Sequence, residues 1–261
     1  MREIHFRQGA YVEDQEKRGE TGGVTRVVCT HGEVSMVNFA GFALFRDRTD
    51  AGRRLASQLA GYANRPDVVV LALPHGGVPV AFEIARALNA PLDVFVVRKL
   101  GVPAYREYAM GAVAGGGAQS IDNDVVRRLG IPSSVISDVA AVELRELERQ
   151  ERLYRRDRSP LSISGETVIV VDDGMATGSS MRAAVAGLRM REPARIVVAV
   201  PVAPANVCDE LRPEVDEIVC LSESKWFVAV GQWYENFRHV SDQEVQCLLA
   251  KAPASFNAVG M

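Results

Sequence analysis

Two adjacent carboxylates, Asp172 and Asp173, end a run of β-formers from Val168 to Val171 and lead into Gly-Met-Ala-Thr-Gly-Ser-Ser. Gly174 and Gly178 let the backbone come close to a ligand. Thr177, Ser179 and Ser180 bring hydroxyl donors. The free N–H groups of the helix expected to follow add their dipole. The loop from Gly174 through Met175, Ala176 and Thr177 to Ser180 therefore reads as a phosphate cradle that needs no net positive charge. The two acids do the opposite job. They repel phosphate but accept hydrogen bonds from vicinal hydroxyls such as those of a ribose. Acids beside a phosphate cradle fit a sugar phosphate. The plain alternative is a strand–turn–helix with a capped helix start. The segment has neither the Lys of G-x-x-x-x-G-K-[ST] nor a G-x-G-x-x-G run.

Four hydrophobic residues, two acids and a small-residue loop containing Thr-Gly resemble the phosphoribosyl pyrophosphate (PRPP) signature of type I phosphoribosyltransferases. The resemblance extends from FRDRTDAG through LPHGGVPVA, VVRKLG, EYAMGA and VDDGMATGSS to AVPVAP, roughly Phe45 to Ala250. It implies that Asp172 and Asp173 hold the ribose 2′ and 3′ hydroxyls and that Gly174–Ser180 binds the 5′-phosphate. It implies a pyrophosphate loop after an early strand, where Pro74, His75, Gly76 and Gly77 stand, with Arg98 and Lys99 supplying cations. Many relatives have Arg before the two glycines. A neutral histidine donates one N–H where Arg offers a charged planar fork. VVRKLGVP resembles the R-K-x-G run of adenine phosphoribosyltransferases, with Val102 in place of that family's later Lys. Ala176 replaces the Asp that 6-oxopurine enzymes carry before Thr-Gly, which argues against that subgroup.

The same resemblance implies Mg²⁺ held through substrate oxygens, with Asp172 and Asp173 as further candidate ligands. It also implies a lid at Gly101–Gly117 containing Tyr105, Arg106 and Glu107. A hood reading the acceptor is placed at about 222–240, with Trp226, Phe227 and Trp233 as candidate acceptor contacts, weighed against simple packing of these aromatics onto the sheet. Residues 39–45 are a further hood candidate. The implied activity is transfer of 5-phosphoribose from PRPP to a nitrogen acceptor of nucleobase type with loss of pyrophosphate. Two alternatives stand beside it: a PRPP-binding regulatory protein with weak catalysis, and a metal-dependent phosphohydrolase.

The elements that must position these groups are legible as alternating helix and strand. Val68–Leu73, Leu92–Val97, Thr167–Val171, Arg195–Val202 and Glu217–Leu221 are apolar runs suited to strands buried on both faces. Helices are expected over Thr49–Tyr62 with Thr49 or Asp50 as cap, Val80–Leu88, Ser133 or Ser134 to about Tyr154, the stretch after Ser180, Ala205–Leu211, and from Ser241 with a Ser241/Glu244 capping box. Ala109–Ile121 reads as a hairpin around a glycine turn. The fold class is α/β: a mainly parallel twisted sheet flanked by helices, the type I phosphoribosyltransferase fold, with a small hood. Ligands of such sheets sit at the carboxyl ends of the strands.

The chain of 261 residues divides into an extension over 1–40, expected to be loosely packed, a domain over 41–252 and a tail over 253–261. Met36 stands as an alternative start. A formal net charge of -3 gives no field for a polyanion, so nucleic acid is excluded as the main partner. No apolar run approaches the roughly 18–20 residues that span a bilayer. Cys29, Cys208, Cys220 and Cys247 show no C-x-x-C pair, which reads as reduced thiols in the cytoplasm. A homodimer is left open.

Overall fold

The computed structural model describes residues 25–30, 33–38, 43–103, 105–155 and 158–253. Two units are distinguished, Met1–Leu44 and Phe45–Met261. In the first, β1 (Thr25–Thr30) and β2 (Glu33–Asn38) pair antiparallel, with Thr25 opposite Asn38. Phe39–Phe42 of the hood candidate, and residues 254–261 of the tail, lie outside the described residues.

The second unit begins with α1 (Arg48–Gln58), whose N-cap is Asp47 and not Thr49 or Asp50. The Asp47 carboxylate accepts from the Asp50 N–H, so the cap sits two to three residues earlier than the apolar spacing indicated. β3 (Val68–Ala72) is followed by α2 (Gly77–Leu88) and β4 (Leu92–Val94). The apolar run Leu92–Val97 is not one strand. After Val94 the chain leaves the main sheet and enters a second one, built antiparallel from β5 (Val97–Val102), β6 (Tyr105–Ala114) and β7 (Ala118–Ile121). Phe95 and Val96 are buried at the crossing, so the run stays apolar through the change of sheet and periodicity cannot mark it.

The short α3 (Asn123–Leu129) and the long α4 (Ser133–Arg155) follow. Then come β8 (Thr167–Val171), α5 (Ser179–Arg189), β9 (Arg195–Pro204), α6 (Ala205–Leu211), β10 (Glu217–Ser224) and α7 (Asp242–Lys251). The main sheet is wholly parallel in the order β10-β9-β8-β3-β4. Every residue of β3 and β8 is buried, as strands covered by helices on both faces require. The apolar side chains form one cluster on each face of this sheet.

The strand order reverses between β3 and β8. From β3 the chain moves outward to β4 on one side, and β8 starts a run outward on the other. The loops that leave the carboxyl ends of β3 and β8 therefore diverge and open a crevice, the usual place for a ligand in such sheets. Those loops carry Pro74–Gly77 and Asp172–Ser180.

Candidate functional site at the switch point

The two loops are packed against each other. The Leu73 N–H donates to the Val171 carbonyl (2.9 Å) and carries the β3–β8 ladder to its end. The Pro74–His75 peptide is cis. A Cβ on Gly76 would collide with the Asp173 carboxylate, and one on Gly77 would lie 2.6 Å from the Val171 carbonyl oxygen. Gly76 and Gly77 are thus required by the close approach of one loop to the acids of the other.

The two carboxylates differ. Asp172 is half-buried, and one of its oxygens accepts from the Asp173 N–H (2.8 Å). Its enclosure, followed by the neighbouring Asp173 charge, pushes its pKa well above the usual carboxylate range. Asp173 is buried. Its Oδ2 lies 2.7 Å from Arg48 Nε, and its main-chain carbonyl accepts from the Tyr234 hydroxyl (2.6 Å). Burial raises its pKa while Arg48 opposes the rise. Arg48 lies in FRDRTDAG, yet no spacing argument from sequence joins it to an acid 125 residues later.

The loop after Asp173 sets small and hydroxyl residues at the start of a helix, with one exception. Gly178 takes φ 71°, the left-handed conformation that glycine adopts without cost, and stands at the N-terminus of α5 with no side chain capping the helix end. Ala176, Thr177 and Ser180 are exposed and Ser179 is half-buried. The Thr177 and Ser179 hydroxyls are 2.9 Å apart. Met175 is the exception: its N–H donates to the Val202 carbonyl (2.9 Å) and its side chain is buried. It moors the loop to β9, and its N–H is not left for a ligand.

His75 is committed elsewhere than a free pyrophosphate ligand would be. Its Nε2 lies 2.9 Å from Asp242 Oδ1 and 2.9 Å from the Tyr154 hydroxyl, and Tyr154 donates to the same Asp242 oxygen. Since an ionised carboxylate only accepts, Nε2 carries the hydrogen, which leaves Nδ1 as the free ring position. Arg98 is paired with Glu143 of α4 (2.7 Å), whereas the neighbouring Lys99 is exposed and has no ion pair among the described residues. Both sit at the start of β5, beyond the end of β4. No contact brings Arg98 to the acids.

The hood candidates separate as well. Phe227 and Trp233 stack with centroids 6.1 Å apart and pack in a small cluster with Phe45 and Tyr234. Trp226 stands 89% exposed after β10. Phe45 bridges in parallel to Tyr234, with its N–H donating to the Trp233 carbonyl (3.0 Å). Of the lid candidate Gly101–Gly117, Met110, Ala112, Val113 and Ala114 are buried against the body of the domain. The side chains of Tyr105, Arg106 and Glu107 lie outside the described residues. Among the described residues, no group of three or more His, Cys, Asp or Glu could hold a metal ion, and no helix is long and apolar enough to cross a membrane.

A parallel sheet covered on both faces, with a glycine- and hydroxyl-rich loop and an acidic pair at its switch point, defines an α/β protein with a crevice at the carboxyl ends of its central strands. The phosphoribosyl transferase domain model matches residues 45–238, and the chain belongs to that family. It is 44% identical over 217 residues to a protein provisionally named a phosphoribosyl transferase in two strains of Mycobacterium tuberculosis. The match covers 83% of this chain and 49% of that protein, so the chain spans about half the length of the curated relatives it matches. The crystal structure of TT1426 from Thermus thermophilus superposes with a TM-score of 0.73 at 40% identity, covering 80% of this chain and 99% of that one.

Proposed function

We propose that the chain transfers 5-phosphoribose from PRPP to a nitrogen acceptor of nucleobase type and releases pyrophosphate. The observation that carries this reading is the Asp172 carboxylate, half-buried between the uncapped N-terminus of α5 and the Gly76–Gly77 loop. A ribose placed there meets an acceptor for its hydroxyls, with a phosphate cradle on one side and a glycine loop on the other.

The bond from C1′ to the pyrophosphate oxygen breaks, a bond from the acceptor nitrogen to C1′ forms, and that nitrogen loses a proton. The protein's part is to hold the two reactants in line and to stabilise charge. The α5 N-terminus with Thr177, Ser179 and Ser180 fixes the 5′-phosphate. Asp172 orients the hydroxyls and lies near the positive charge that develops on the sugar. The Gly76–Gly77 backbone faces the leaving group, with Lys99 an exposed cation that has no ion pair among the described residues. The donor set is hard oxygen, with the Asp172 carboxylate half-buried at the crevice, which suits Mg²⁺ held largely by substrate oxygens. When bound, the ion supplies charge neutralisation on the pyrophosphate. Trp226 is an exposed aromatic available to stack on an acceptor ring.

The test is pyrophosphate release from PRPP and Mg²⁺ across a panel of nucleobases. Base-dependent release that disappears in Asp172→Asn supports the proposal. PRPP binding with no release under any base favours a regulatory PRPP-binding protein, and base-independent phosphate release favours a phosphohydrolase.

A further inference from the structure

Asp173 is held from two directions, and both lead to the hood. Arg48 Nε binds its carboxylate (2.7 Å), while Arg48 Nη1 donates to the Arg238 carbonyl (2.7 Å). The same guanidinium lies 3.9 Å from the centre of the Phe237 ring. Tyr234 donates to the Asp173 carbonyl, and Phe45, three residues before Arg48, is bridged to Tyr234. A buried carboxylate and its guanidinium cannot part without a new partner for each. Asp173 therefore cannot shift without Arg48, and Arg48 cannot shift without the 234–238 segment. There is room for such a shift: a cavity of about 80 Å³ lies beside Arg48, between Asp47, Pro79, Asn236 and Arg238.

We propose that Arg48 is a positioning residue that makes the hood respond to filling of the ribose subsite. A sugar hydroxyl reaching the acidic pair draws on the Asp173 carboxylate. Arg48 re-aims toward the cavity and carries Phe237 and the Arg238 main chain with it, so that the hood takes its acceptor-binding position only over a bound donor. The proposal rests on the phosphoribosyl transfer reading and deepens it by naming the link between its two subsites. Linkage makes the effect reciprocal: an acceptor seated under the hood tightens the donor by the same factor.

The chain has two tryptophans, Trp226 and Trp233, and both lie in the hood, so tryptophan emission reports on that segment alone. The experiment titrates PRPP with Mg²⁺ by calorimetry and measures acrylamide quenching of tryptophan emission at saturation. In the wild type PRPP binds and quenching changes. In Arg48→Met the expected result is PRPP affinity within about tenfold of wild type but no change in quenching, a loss at the scale of ordinary site-to-site coupling. Asp173→Asn loses the response too, and the double variant loses no more than either single one. A full response in Arg48→Met, additive losses, or PRPP binding by the wild type without any response overturns the proposal. Absence of PRPP binding by the wild type instead overturns the reading of function beneath it. If Arg48→Met does not fold, Arg48→Lys and Tyr234→Phe carry the test. Each alters one bond on Asp173, and a full response in both overturns the proposal.

Discussion

His75 Nε2 lies 2.9 Å from Asp242 Oδ1, which ties the β3 loop to the first residue of α7. The bond from His75, then that from Tyr154, holds the Asp242 carboxyl below its usual range. A lowered folded pKa adds stability above the unfolded value of about 4, and that stability is lost as pH falls through the folded pKa. Asp242→Asn is therefore expected to melt slightly lower than wild type at pH 7, with the difference shrinking toward pH 3. It also frees the His75 ring. KM for PRPP is expected to rise several-fold with kcat little changed, as loss of one aligning hydrogen bond of about 1 kcal/mol implies. Melting scans against pH and steady-state pyrophosphate release check the two parts.

Asp172 carries the opposite shift. Burial and the Asp173 charge raise its folded pKa, so above that pKa the ionised side chain costs the empty protein stability. Asp172→Asn is expected to raise the melting temperature near pH 8 by about 2–4 °C if it recovers about 1 kcal/mol. The gain vanishes below about pH 4, where Asp172 is protonated in both folded and unfolded states. The same variant is expected to lose the further stabilisation that PRPP and Mg²⁺ give the wild type. Melting with and without PRPP separates these effects. A carboxylate that costs stability in the empty site and repays it when ligand binds is the usual trade at functional positions.

Gly178 tests the phosphate loop. At φ 71° an alanine pays about 1–2 kcal/mol for its left-handed backbone. Its Cβ would also stand 2.7 Å from Val207 Cγ1 on α6. Gly178→Ala is expected to weaken PRPP binding more than it lowers overall stability, because relief of the clash rotates the first turn of α5 away from the crevice. Calorimetry beside urea unfolding distinguishes a local effect from a global one.

The residues that reached the crevice by local pattern were legible in the sequence. An apolar run followed by glycines and hydroxyls specifies a strand end, a turn and a helix start, all within about ten residues. The Ser241 cap also formed as spaced, its hydroxyl accepting from the Glu244 N–H (3.2 Å). What the sequence hid depends on distant contacts. Arg48 and Asp173 meet because the fold brings the start of α1 and the end of β8 together beside residues 234–238. Nothing in the neighbourhood of either residue marks the other. Tyr154 and Asp242 stayed hidden for the same reason, since an aromatic at a helix end and an acid after a cap each have ordinary local explanations. The change of sheet at Phe95 was masked because both sheets bury apolar side chains there.

The second half of α4 mixes both signs of charge, and Arg149–Glu146 and Arg152–Glu148 pair at its surface. Its last residue departs from that pattern. Arg155 Nε binds both carboxylate oxygens of Asp93 (2.9 and 3.1 Å), and its Nη2 donates to the Val94 carbonyl (2.8 Å). Both side chains are buried, and Glu151 adds a second carboxylate 3.0 Å from Nη1. The bonds pin α4 to β4 where the chain leaves the main sheet for the antiparallel one. Removing one member of a buried pair strands the other charge, which costs about 3–5 kcal/mol. Asp93→Asn keeps the shape and leaves Arg155 with Glu151 alone, so it falls at the low end, and Asp93→Ala falls at the high end. Both are expected to lower the urea midpoint. Because β5 and α4 are anchored through this joint, both are also expected to raise hydrogen exchange in β5 and α4 ahead of β8 and β9. Uniform exchange across all four elements would show that the pair serves global stability and not the seating of the second sheet.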